Sequence, residues 1–130
     1  MRAGLPALTR ALELQAKAGT VGFDWNDPKA VLDKIAEEAA EILSAIDGGD
    51  QDEAAEEVGD LLFAVVNLAR HLKVNPETAL RGANAKFERR FASIERALAA
   101  QGKAPSEATL AEMDALWNEA KAAEKLAAEK

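Results

Sequence analysis

The stretch from Val58 to Ala69 reads Val-Gly-Asp-Leu-Leu-Phe-Ala-Val-Val-Asn-Leu-Ala, and Asp60 and Asn67 are its only strongly polar residues. No strand-like alternation runs through it. As a helix it is apolar on more than one flank, more than a single neighbour in the same chain can cover. Leu61, Leu62, Val65, Val66, Leu68, Ala69 and Leu72 make up those flanks, and they predict a two-fold interface between copies of the chain. On the same helix Asn67, Glu53, Glu56 and Glu57 fall within about 60° of Asp60, forming one polar strip on a greasy rod. Gly59 beside Asp60 is unfavourable in a helix interior and predicts a close backbone approach there.

The rest of the chain is punctuated as helices. A first helix is expected over Leu5–Gly19, followed by a glycine-containing loop to Asn26. Asp27-Pro28 pairs an N-cap residue with a proline at the first helical position, and Gly48-Gly49 stops that helix after Asp47. The third helix starts near Asp50 or Asp52 and runs to about Lys73. Asn75-Pro76 opens a fourth that lasts to about Ala100, where Gly102 and Pro105 interrupt. The last helix is expected over about 107–127, capped by Ser106 or by the Thr109-Leu-Ala-Glu112 capping box. The reading is a single all-α domain over 1–130, a bundle of about five helices assembled as a dimer.

Composition narrows the partners. A net charge of −7 argues against nucleic acid, since a phosphate backbone wants a basic face, but leaves room for one nucleotide whose charge a cation carries. With no cysteine there is no disulfide, thiolate site or thiol nucleophile. No window approaches a membrane span, and Met1 to Gln15 holds no long apolar run of the kind a signal needs, so a cytoplasmic location is expected.

Glutamates then carry the chemistry. With Glu38 at zero, the apolar residues of the second helix from Val31 to Ile46 lie between about +20° and +140°, so Glu38 borders the buried face and Glu41 sits one turn along. If the short Gly48-Gly49 link folds the third helix back, Glu38 and Glu41 face Glu57 and Asp60. Four converging carboxylates repel one another unless a cation joins them. Oxygen-only ligands suit Mg²⁺ or Mn²⁺. His71, the one histidine, makes no Glu-x-x-His pair, which removes a di-iron site. The plainer reading of Glu37, Glu38 and Glu41 is a solvated helix face, and Asp60 inside the apolar run is what weighs against it.

Glu37-Glu38-Ala-Ala-Glu41 followed by Glu57-Val-Gly-Asp60 resembles the EExxE…ExxD signature of the MazG family, in the all-α NTP pyrophosphatase superfamily. Gly22-Phe-Asp-Trp25, Gly59-Asp-Leu-Leu-Phe63, Val66 to Leu72 and Asn84 to Phe91 resemble further MazG segments in their usual order, so the resemblance is strongest over 22–95. It implies Mg²⁺-dependent hydrolysis of an NTP or dNTP to monophosphate and pyrophosphate, with Mn²⁺ as a possible substitute. It implies Glu38, Glu41, Glu57 and Asp60 as metal ligands and Lys86 and Arg90 on the triphosphate, with Lys34 and Trp117 also on the nucleotide. Glu37 or Glu38 would take the proton of the attacking water. Longer family members carry two such repeats, and this chain resembles the second, catalytic one.

Each of these residues has an ordinary alternative. Lys86 and Arg90 can pair with Glu88 or Glu95, and Trp25 and Trp117 can be packing residues rather than base-stacking ones. Phe23, Phe63, Phe87 and Phe91 are assigned to core or dimer contacts, and His71 to a hydrogen-bonded structural role. Asn67 touches the ligand or only completes the polar strip, and Arg70, Arg81, Arg89 and Arg96 are expected to be solvated. Competing functions are a narrower relative, acting on dCTP, dUTP or phosphoribosyl-ATP, and a non-catalytic helical dimerisation module.

Overall fold

The computed structural model describes residues 5–25 and 27–129. Among them the chain is all-α: α1 (Ala7–Gly19), α2 (Pro28–Asp47), α3 (Gln51–His71), α4 (Pro76–Ala100) and α5 (Leu110–Ala128), with a 3₁₀ turn at Pro105–Glu107 before α5. Contacts gather into two units, Met1–Ala79 and Leu80–Lys130.

In the first unit α3 packs along α2, and α1 packs on α3. The caps read from sequence are made. Asp27 accepts from the Ala30 amide at 2.9 Å, Asp50 from Glu53 at 3.0 Å and Asn75 from Thr78 at 3.2 Å. Each supplies an acceptor for a helix-start amide that has no partner within its own helix. Gly49, at φ +68°, takes the left-handed conformation that lets a short link return α3 along α2. Val31, Ala45, Ala64 and Val66 are buried, and Gln15 crosses from α1 to donate its Nε2 to the Phe63 carbonyl at 2.9 Å.

In the second unit Ile94 and Leu98 are the buried residues of α4. Phe87 stacks on Phe91 with centroids 6.0 Å apart and meets Trp117 of α5 at 5.5 Å. Thr109 and Glu112 form the capping box of α5, and Lys103 pairs with Glu112 at 2.9 Å.

The expected helix bounds and the reading of Gly59 need correcting. The first helix begins at Ala7, after Pro6, and the third ends at His71, before Lys73 turns left-handed at φ +60°. The last helix begins at Leu110, because Thr109 is its cap and Pro105–Glu107 forms a separate turn. A Cβ placed on Gly59 meets nothing within 4 Å, so among the described residues the close approach is not made. The α3 apolar run is, as expected, only partly covered among the described residues: Val58, Leu62, Val65 and Leu72, spaced as one helical stripe, stay 45%, 52%, 44% and 55% exposed. Phe23, Phe63 and Phe87 are likewise exposed, so of the two roles expected of them, core or dimer contact, the core one does not apply.

Candidate functional site

The hairpin of α2 and α3 brings three glutamates together. One carboxylate oxygen each from Glu38, Glu41 and Glu57 lie within 4.8 Å of one another. Glu38 reaches this position because it lies at the centre of the buried Val31, Glu38, Ala45 seam of α2, and it is itself 4% exposed. It does not lie at the edge of the expected apolar face, whose Leu32, Leu43 and Ile46 are exposed. Asp60 is not among the three. It lines a cleft of about 250 Å³ with Glu38, Lys34, Trp25, Phe63 and Ala64. Lys34 contacts Glu38 at 3.0 Å and Glu37 at 3.8 Å, and Glu37 points more outward, its side chain 59% exposed.

The electrostatics follow from crowding. Lys34 donates to Glu38 and, ahead of the contact with Glu57, holds the Glu38 carboxyl below its ordinary value. Its own ammonium is raised in return, first by that hydrogen bond. Glu57 is pushed up to about 8, first by hydrogen bonding to Glu38, then to Glu41, then by burial. A proton is therefore shared among carboxylates that cannot all be charged at once. Oε2 of Glu38 and Oε2 of Glu57 are buried with no hydrogen-bond partner among the described residues. A hard divalent cation answers all of these features: oxygen donors only, unsatisfied inward oxygens, and negative charge in excess of local positive charge. The three glutamates fit such an ion.

Lys86, Arg90 and Trp117 belong to the second unit. Lys86 is exposed. Arg90 is oriented on two sides: Glu124 accepts from its Nε at 3.1 Å and from its Nη2 at 2.9 Å, and the guanidinium lies 5.1 Å from the Trp117 ring centroid. That arrangement holds a planar cation in one orientation while leaving Nη1 outside the Glu124 pair. It holds the Glu124 carboxyl below its ordinary value.

Sequence reasoning missed a second polar group in the first unit. Asp24 Oδ1 accepts from Arg70 Nη2 and lies 3.1 Å from His71 Nε2, while Arg70 Nη2 also donates to Asn67 Oδ1 at 2.7 Å. Arg70 is therefore engaged rather than solvated, and His71 has the hydrogen-bonded structural role expected of it. Asn67 is 1% exposed and Gln15 6%. Gln15 was detectable: it falls on the Leu8, Ala11, Ala18 stripe of α1, where an apolar residue belongs.

An all-α chain with three glutamates converging on a helical hairpin falls in the class of helical proteins that carry the oxygen donors of a carboxylate metal site. Residues 26–94 match the MazG nucleotide pyrophosphohydrolase domain, and the chain belongs to that family. It is 46% identical over 119 residues to a nucleoside triphosphate pyrophosphohydrolase of Escherichia coli, covering 90% of this chain and 45% of that protein. To the nucleoside triphosphate pyrophosphohydrolase/pyrophosphatase MazG of Thermotoga maritima it is 44% identical over 117 residues, with the same two coverages. An uncharacterised Bacillus subtilis protein, YabN, is 49% identical over 69 residues, covering 53% of this chain and 14% of the relative. The chain thus spans about half the length, 45%, of the two named pyrophosphohydrolases. No helix among the described residues is long and apolar enough to cross a membrane.

Proposed function

We propose that the chain hydrolyses nucleoside triphosphates to the monophosphate and pyrophosphate, using Mg²⁺, with Mn²⁺ able to replace it. The observation that carries this is the convergence of Glu38, Glu41 and Glu57, with two inward oxygens left unpaired, beside the cleft lined by Lys34 and Asp60. Family membership and the names of the two pyrophosphohydrolase relatives support it.

Glu38, Glu41 and Glu57 would hold the metal, with Asp60 of the adjoining cleft as the fourth acid. When bound, the ion supplies positive charge to the phosphate oxygens and to the leaving pyrophosphate. Lys34, already at the cleft, offers a cation for the phosphates and keeps Glu38 ionised. Glu38 is committed to the cluster, so Glu37, outward and loosely paired, is the carboxylate left to accept the proton of the attacking water at its side-chain oxygen. The resemblance carries Lys86 and Arg90, four apart on α4, onto the triphosphate and Trp117 onto the nucleotide.

The α3 stripe of Val58, Leu62, Val65 and Leu72 is the proposed interface of a homodimer. A cytoplasmic location, absence of nucleic-acid partners and a single MazG-like domain over 1–130 complete the reading. The test is a panel of NTPs and dNTPs with Mg²⁺, resolving monophosphate plus pyrophosphate from diphosphate plus phosphate. Monophosphate and pyrophosphate from several bases, lost in folded Glu38→Ala and Asp60→Ala, are expected. Turnover of one nucleotide alone would make the chain a narrow-specificity relative. No turnover by the folded protein would overturn the proposal in favour of a helical dimerisation module.

A further inference from the structure

A smaller recess of about 100 Å³ adjoins the acidic cleft in the first unit, and Trp25 and Phe63 line both. Gln15, Asn67 and Arg70 also line the recess, and Phe23 adds a further aromatic wall. Gln15 and Asn67 are both more than nine-tenths buried, at 6% and 1% exposure.

Each carboxamide is oriented by the bond its other end makes. Gln15 Nε2 donates to the Phe63 carbonyl at 2.9 Å, which leaves Oε1 as an acceptor. Asn67 Oδ1 accepts from Arg70 Nη2 at 2.7 Å, which leaves Nδ2 as a donor. Arg70 is anchored in turn by Asp24. Gln15 Oε1, Asn67 Nδ2 and Arg70 Nε are all buried without a hydrogen-bond partner among the described residues. Buried polar atoms are nearly always paired, so three unpaired atoms on residues that line one recess call for a ligand with its own donors and acceptors. Aromatic walls call for a flat one.

We propose that this recess receives the nucleobase of the substrate, and that Gln15 and Asn67 read its hydrogen-bonding edge. This rests on the reading that the adjoining cleft, with Lys34 and Glu38, takes the triphosphate. Every nucleobase presents an acceptor next to a donor, so one acceptor and one donor on the protein admit several bases. A change in either should alter the ranking among them. Asn67 and Gln15 are then specificity-determining residues, and their signature is a ratio between bases rather than an overall loss.

Asn67→Asp is the decisive variant. It keeps the size of the side chain and the oxygen that Arg70 holds, while exchanging the free donor for an acceptor. CTP and UTP are the matched pair, equal in size and different in that cytosine carries an amino group where uracil carries a carbonyl. The measurement is kcat/KM for both nucleotides, with inhibition by inorganic tripolyphosphate measured alongside as a base-free control.

The expected result is a CTP-to-UTP ratio raised about tenfold in the variant, with tripolyphosphate inhibition unchanged. An unchanged ratio in the folded variant overturns the base assignment and leaves the hydrolysis reading standing. If the wild type hydrolyses neither nucleotide, the same ratio is read from calorimetric Kd values for CMP and UMP. A shift there upholds the recess while the hydrolysis reading falls, and no shift overturns both. Gln15→Met, which removes the acceptor, serves if Asn67→Asp does not fold. It should weaken CMP and UMP binding about tenfold without changing tripolyphosphate inhibition, and equal weakening of all three would refute the assignment.

Discussion

Metal binding at the Glu38, Glu41 and Glu57 cluster should be coupled to the release of one proton. In the metal-free protein Glu57 is pushed up to about 8, because Glu38 and Glu41 share its proton. A cation entering at lower pH has to displace that proton. Apparent affinity for Mn²⁺ should therefore rise about tenfold per pH unit between pH 6 and 8, then level off. Calorimetry in buffers of different ionisation heat measures both quantities, and near pH 6.5 it should count about one proton released per ion.

The same shift sets the sign of metal-free stability. A carboxyl raised from 4.5 to about 8 is protonated in the folded chain and ionised in the unfolded one across that window. The Glu57 contribution therefore makes metal-free stability fall as pH rises through it. Glu57→Gln, neutral throughout, should flatten both dependences and weaken the metal. Affinity independent of pH from 6 to 8, with no proton released, would refute the shared-proton account.

Three further outcomes follow from local structure. Asp50→Ala removes the acceptor for the Glu53 amide at the start of α3 and should cost about 1 kcal/mol in urea unfolding. Leu98→Ala, at 0% exposure, should cost about 2–5 kcal/mol by the same measurement. Gly59→Ala meets no atom within 4 Å among the described residues and should stabilise α3 by roughly 0.5–1 kcal/mol. A loss of stability instead, with weaker self-association in sedimentation, would place a second copy against Gly59.

The helices and their starts were legible because their determinants are local. Asp27, Asp50, Asn75 and Thr109 each accept from an amide three residues on, and such spacings are visible in a single chain. Glu38 was legible only in part: periodicity placed it at the edge of an apolar face, whereas it is buried between Val31 and Ala45 while Leu32, Leu43 and Ile46 of that face are exposed. Partners far along the chain were not legible. Arg70 looked like a surface cation until Asp24, 46 positions away, closed on it. Glu124 lies 34 positions from Arg90, and Gln15 lies 48 from the carbonyl it bonds. Helical periodicity tells which face a side chain occupies, not which distant group meets it. The four-carboxylate set shows the same boundary, since spacing placed Asp60 on the polar strip with Glu57 while the three-glutamate cluster forms without it.

Hydrolysis in water enriched in oxygen-18 tests the central claim most directly. Attack on the α-phosphorus, as the acidic centre and the triphosphate reading require, puts the label in the nucleoside monophosphate and leaves the pyrophosphate unlabelled. Label in the pyrophosphate would mean attack at the β-phosphorus, and label in free phosphate would mean removal of the terminal group. Either result would contradict the account.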